Sequence, residues 1–278
     1  SSYTLYIYGN ITNNGIITGT GTSNLLKFYG SSLINNGAIT SPSFSFDSVV
    51  SVSGSGTYTG GIIGISANGV VTLLNNTTFS LSSEFIISTG GSFTANGNIF
   101  TFSSGTFSVL TGATVVNSGT VRTQGTVTIN PRTGSAFNAN LNVNTGTTIA
   151  AELSSPYNAR LYGNITVDNG AALSTNVTSS YTLFVFGNVI NNGTISGVGD
   201  LEFPSGAHSL QGTGSILPAV ILLTGANVTL SSGHQMRSVD INAGATFNIG
   251  SNAVKFTASN PIIQNGTFTN TGSKIEYN

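Results

Sequence analysis

The chain contains no cysteine and no tryptophan, a single methionine, and very few charges: 5% of its 278 residues, with a formal net charge of −1. Without cysteine no disulfide framework can hold it together. Seven basic residues scattered along the sequence cannot form the phosphate-neutralising stripe that nucleic acid requires, so nucleic-acid binding is excluded as a partner class. Long hydrophobic runs are missing too. The longest, Ile216 to Leu223, is broken by Pro218 and far too short for a membrane span. Present instead are 36 glycines, abundant Ser, Thr and Asn, and 38% hydrophobic residues including 16 Phe and 9 Tyr. The small polar residues disfavour helix interiors, while the aliphatics and aromatics supply a core that a disordered chain would lack.

A local pattern recurs. Asn13-Asn14-Gly15-Ile16-Ile17 returns as Asn35-Asn36-Gly37-Ala38-Ile39, as Asn117-Ser118-Gly119-Thr120-Val121 and as Asn191-Asn192-Gly193-Thr194-Ile195, with a near match at Gln264-Asn265-Gly266-Thr267-Phe268. Glycine spacings cluster as well. Gly15 to Gly37, Gly90 to Gly112 and Gly112 to Gly134 are each 22 residues, whereas Gly206, Gly225 and Gly244 are 19 apart. A turn glycine every 19–24 residues between short alternating apolar runs fits one solenoid coil per repeat. A longer duplication overlays this period. Residues 1–21, from Ser1-Ser2-Tyr3-Thr4-Leu5 through Gly9-Asn10 to the Asn-Asn-Gly corner, match residues 179–199, and Leu161-Tyr162-Gly163-Asn164-Ile165-Thr166 is a fainter third copy. Residues 41 to 70 fit the period poorly and are expected to hold an irregular or enlarged coil.

Strand alternation assigns faces. Leu5, Ile7 and Ile11, like Leu183, Val185 and Val189, are expected to point inward. Tyr6, Tyr8, Phe184, Phe186 and, in the third copy, Tyr162 then face outward as candidate interface aromatics. Glycine supplies the corner conformation and Asn tolerates it. Asn13, Asn14, Gly15, Asn35, Asn36, Gly37, Asn191, Asn192, Gly193, Asn265 and Gly266 are therefore the expected turn positions, where stacked Asn carboxamides form a ladder. The resulting expectation is an all-β chain, a single-domain parallel β-solenoid over residues 1–278, right-handed by the general crossover preference. An antiparallel sandwich is the rival, since its turns also fall every 8–12 residues.

On Gly9-Asn10-Ile11-Thr12-Asn13-Asn14-Gly15, Gly187 to Gly193 and Asn265 to Asn270, the chain resembles bacterial secreted and cell-surface β-helix repeat proteins. These are the filamentous-haemagglutinin-like, autotransporter-passenger-like and Bacteroidota surface repeat proteins. The resemblance implies an extracellular or cell-surface location and an adhesive or structural role.

Polysaccharide lyases and hydrolases also use β-helices and need clustered carboxylates with a nearby base. Of the eight acids, only Asp200 and Glu202 are close in sequence, at a spacing that puts both on one strand face. His234 precedes Arg237 without the aspartate motifs a polygalacturonase carries, and His208 reads as a surface or turn histidine. No cofactor or metal motif is present. The expected function is therefore non-catalytic: a structural subunit of an extracellular filament, assembling with copies of itself head to tail through uncapped end coils. The alternative is an adhesin module that binds glycans or other surface proteins through the exposed aromatics; a polysaccharide lyase or hydrolase is third. So few carboxylates also predict a weak dependence of stability on pH between about 3 and 9.

Overall fold

Alternating side chains and glycine corners do build stacked parallel strands. A computed structural model describes residues 3–19, 25–116, 118–150, 158–175 and 181–277. Among these there is no helix, and so none long and apolar enough to cross a membrane. The strand pairings of both units are parallel, which removes the sandwich alternative. The chain comprises two compact units, Ser1–Leu141 and Asn142–Asn278, and each is a parallel β-solenoid.

In the first unit each coil supplies strands to three rows. The opening coil gives Thr4–Ile7, Ile11–Asn13 and Ile16–Thr18. These pair respectively with Leu25–Phe28, Ser32–Asn35 and the start of Ala38–Phe46. Inward positions stack in register, so that Phe28, Leu33, Phe46, Val52, Ile65 and Leu73 are completely buried. Further along, the interior becomes rich in phenylalanine, interleaved with aliphatics such as Leu81, Ile87 and Val109. Phe100 lies 4.9 Å from Phe93, 5.1 Å from Phe79 and 5.2 Å from Phe85, centroid to centroid. Such spacing suits edge-on and tilted aromatic packing. Burying each ring contributes about 1.5–3 kcal/mol relative to exposure.

Residues 41 to 70 are regular, not enlarged. Leu25 pairs with Ser43 and Ile39 with Tyr58, offsets of 18 and 19 residues, as short as the coils that pair Thr182 with Asp200 and Asn227 with Thr246. Ala38–Phe46 and Thr57–Ile65 each serve two rows by bending through a corner as continuous strands. The turn glycine that marks the period elsewhere is replaced by a bend within the strand. Thr77–Ile87 does the same, with its register shift between Leu81 and Glu84.

The second unit repeats the plan. Ile165–Val167, Val189–Asn191, Gly206–Gln211, Ala226–Leu230, Thr246–Gly250 and Thr267–Asn270 form one row. Ala159–Leu161, Thr182–Val185, Asp200–Phe203 and Ile262–Gln264 belong to a second row, completed by the latter parts of Ser215–Leu222 and His234–Ile241. A third runs from Thr147–Ala150 to Ile275–Tyr277. The fainter sequence copy is thereby explained: Leu161 pairs with Val185 and Ile165 with Val189, so it lies one coil from the copy it matches.

Candidate functional site

Three features stand out from the bare scaffold: the asparagine corners, the outward aromatic stacks, and the two end coils. Asn13 is buried and its Nδ2 donates to Asn35 Oδ1 at 2.8 Å and to Ala38 O at 3.1 Å, while its own Oδ1 accepts from Gly15 N. Asn35, fully buried, repeats the arrangement by donating to Thr57 O at 3.0 Å and accepting from Gly37 N. Asn191 is also fully buried and donates to Ser215 O at 3.1 Å. Asn14 and Asn36 form a separate, exposed rung at 2.9 Å, with Asn36 as donor. Asn192 lies outward beside Asn191. Asn265 is exposed and its N–H bonds Ile241 O, as does that of Gly266. Tyr58 is buried near this corner; burial pushes its phenol above the ordinary range, with Asn35 opposing.

Above each buried rung the next coil carries glycines that the repeated motif alone does not reveal. Asn35 is followed one coil later by Gly54-Ser55-Gly56, and Asn191 by Gly212-Thr213-Gly214. A Cβ on Gly54 or Gly212 would overlap the backbone of the Asn below, and both residues have positive φ, 98° and 97°. The signal was available as a second Gly-x-Gly one coil after Asn-Asn-Gly. The copies on Ser1, Ser2, Asn117, Ser179 and Ser180 lie outside the described residues.

Of the outward aromatics, Tyr8 is 75% exposed and Tyr6 51%. Both stack on Tyr29, at 5.2 and 6.3 Å between centroids. Tyr29 precedes Gly30 as Tyr8 precedes Gly9, one coil apart, and was missed only because Gly30 is followed by Ser. In the second unit Tyr162 stacks on Phe186 at 4.4 Å and 21°, the same position in consecutive coils. Phe184 lies beneath the Arg160 guanidinium, 5.0 Å from its centroid. In each stack, ring faces are turned toward the neighbouring coil.

Asp200 and Glu202 do share one face of their strand and are partly buried. Burial raises both carboxyls above their ordinary values. Arg237 opposes this at Asp200, whereas the Asp200 charge adds to it at Glu202 and a Thr182 hydrogen bond opposes it. Among the described residues no three His, Asp or Glu side chains converge on a point that could hold a metal ion; Glu152 lies outside those residues. His208 is not a surface residue. It is buried, with Nδ1 3.2 Å from Gly187 O and Nε2 2.9 Å from Pro204 O, because strand parity turns it inward against Phe203. His234 is likewise turned inward, and Arg237 outward, so the two do not meet as a pair.

The end coils differ from all others in exposure. Leu5, Ile7 and Ile11 have the inward register, opposite Leu26, Phe28 and Leu33, yet Leu5 is 60% exposed. An open groove of about 420 Å³ lies here, lined by Tyr3, Leu5, Ile17, Leu25, Leu26 and Ser41. At the last coil of the second unit Ile262, Phe268 and Ile275 are only partly covered, and Tyr277 is 63% exposed although it pairs with fully buried Phe256. Among the described strands, those of both end coils pair on one side only. Comparison of the chain with protein-family models, curated proteins and solved structures finds no match.

Proposed function

We propose that this chain is a non-catalytic structural subunit of an extracellular or cell-surface fibre, joined to copies of itself by continuation of its parallel ladders. The observation that carries the reading is the pair of open end coils. Inward-register apolar side chains are exposed at each, and the described strands there pair on one side only. Unpaired strand edges are templates for further pairing. A contact between two different surfaces of the same molecule generates a filament wherever its rotation does not close into a ring. Electron microscopy and sedimentation across a hundredfold concentration range test this. The expected result is a concentration-dependent fibre; a monomer at every concentration overturns it.

A second reading, adhesion to glycans or surface proteins, is favoured by the exposed Tyr6–Tyr8–Tyr29 and Tyr162–Phe186 stacks. Ring faces and edges of this kind pack against sugar rings or apolar side chains. Glycan-array binding that disappears in Tyr8→Ala plus Phe186→Ala supports it, and an array without binding removes it. A lyase or hydrolase would have to work through Asp200 and Glu202, and a substrate-cleavage screen with Glu202→Gln as control checks that role.

A further inference from the structure

The last coil repeats the first. Residues 5–15, Leu-Tyr-Ile-Tyr-Gly-Asn-Ile-Thr-Asn-Asn-Gly, align without a gap on residues 262–272, Ile-Ile-Gln-Asn-Gly-Thr-Phe-Thr-Asn-Thr-Gly. Gly9, Thr12, Asn13 and Gly15 are matched identically by Gly266, Thr269, Asn270 and Gly272, and the inward apolar residues Leu5 and Ile11 by Ile262 and Phe268. One corner hydrogen bond matches too, although Gly272 has a φ of 94° and Gly15 is not left-handed. Asn270 Oδ1 accepts from Gly272 N at 3.0 Å, as Asn13 Oδ1 accepts from Gly15 N at 3.1 Å.

An independent observation comes from the glycines. In the second coil Gly30 and Gly37 have to be glycine, because a Cβ would overlap the carbonyl oxygens of Gly9 and Gly15 in the coil below. Gly187 meets the Gly163 carbonyl and Gly193 the Ala171 carbonyl in the same way. Gly9 and Gly15 hold the corresponding places in the first coil, yet a Cβ there would meet nothing within 4 Å, and neither has a left-handed φ. Nothing within the described chain requires glycine at either position. A coil beneath them, with carbonyls at Gly266 and Gly272, would require it at both.

Building on the self-assembly reading above, we infer that the partner of the first coil is the last coil of a second copy, in one register: Ile262–Gln264 under Thr4–Ile7, Thr267–Asn270 under Ile11–Asn13, and, after one extra residue beyond Gly272, inward Ile275 under inward Ile17. Leu5 then covers Ile262 and Ile11 covers Phe268, burying apolar side chains that each copy alone leaves open. Among the described residues Asn270 Nδ2 has no partner, and in this register it donates to Asn13 Oδ1. That is the rung which Asn13 itself forms with Asn35. The buried carboxamide ladder thus continues from one molecule into the next.

The register is testable because the chain has no cysteine of its own. Thr12 and Thr269 are exposed, outward-facing equivalents that the register places side by side, at a strand spacing a disulfide can bridge. The double variant Thr12→Cys/Thr269→Cys, oxidised at assembly concentration, is expected to give a ladder of covalent oligomers on a denaturing gel. Thr12→Cys/Ile263→Cys, which fits only a register rotated by one row, is expected to give none. Gly15→Ala is expected to melt at the wild-type temperature as a monomer but to need at least a tenfold higher concentration to assemble. Crosslinking of the rotated pair instead, or wild-type assembly by Gly15→Ala, overturns this register while leaving self-assembly standing. A wild-type chain that never assembles overturns both.

Discussion

At the scale of single residues, the buried asparagines do what a core aliphatic cannot. Asn35 joins three coils by accepting from Asn13 and donating to Thr57 O, while also holding its own corner through Gly37 N. Asn35→Ala strands these groups where water does not reach, and should cost about 2–3 kcal/mol in chemical denaturation. Asn36→Ala removes only the exposed rung and should stay within about 0.5 kcal/mol. The titratable groups sharpen the expectation of weak pH dependence. Asp200 and Glu202 hold their protons to higher pH in the fold than their ordinary 3.8 and 4.5, because burial disfavours the charge. The fold then binds more protons than the unfolded chain just above those values, and stability falls as pH rises through that window. His234 acts in reverse. Burial, only partly offset by the Gly214 and Leu210 backbone, lowers its pKa below 6.5, so its contribution is complete above that pH and is lost as pH falls. Thermal melts from pH 3 to 8 should show a shallow minimum between the two windows, and Glu202→Gln should flatten its acid side. A single steep loss on acidification would contradict this account.

At the scale of elements, the decisive units are corners. The solenoid turns either at a glycine corner, with positive φ as at Gly54 and Gly212 or without it as at Gly37 and Gly193, or within a long strand that bends, as in Ala38–Phe46 and, with a register shift, in Thr77–Ile87 and Ser215–Leu222. The glycine corners are intolerant of any side chain wherever the coil below brings its backbone close. Gly212→Ala combines a left-handed φ with overlap of the Asn191 backbone, and should cost about 2–4 kcal/mol in urea unfolding. Gly97, also at positive φ but with open space around its Cβ, is the control: alanine there meets only the backbone term, about 1–2 kcal/mol. Equal costs at the two sites would show that conformation alone, without stacking, sets the requirement.

At the scale of the whole molecule, stability comes from repeated backbone ladders and a continuous apolar interior in each unit. Charge contributes almost nothing. The one ion pair among the described residues, Lys274 with Glu276, is exposed and adjacent to the end of the chain, where such a pair is worth little. Raising sodium chloride from near zero to 0.5 M screens surface charges almost completely. It should therefore leave the melting temperature of the unassembled chain within about 2 °C, as scanning calorimetry would show. A large shift would mean that charges act together in a way the single ion pair does not indicate.

The strand parity, the parallel solenoid and the Asn13–Asn35 and Asn14–Asn36 rungs were legible in the sequence, because each depends on a short-range regularity: alternation by two, glycine with asparagine at a turn, and a period near 22. Leu183, Val185 and Val189 are fully buried as that parity requires, and Tyr6 and Tyr8 are exposed. What lay beyond it depends on which residues the stacking brings together. The short coils through residues 41 to 70 bend within their strands, and a bend inside an apolar run carries no punctuation. His208 reads as a turn residue until its register with Val228 places it on the buried face. Leu5 has the inward parity of Leu183 but not its burial, since parity sets where a side chain points and only a neighbouring coil covers it. The requirement for glycine at Gly37, and its absence at Gly15, is likewise a matter of what lies beneath, which a one-dimensional pattern cannot express and stacked coils decide.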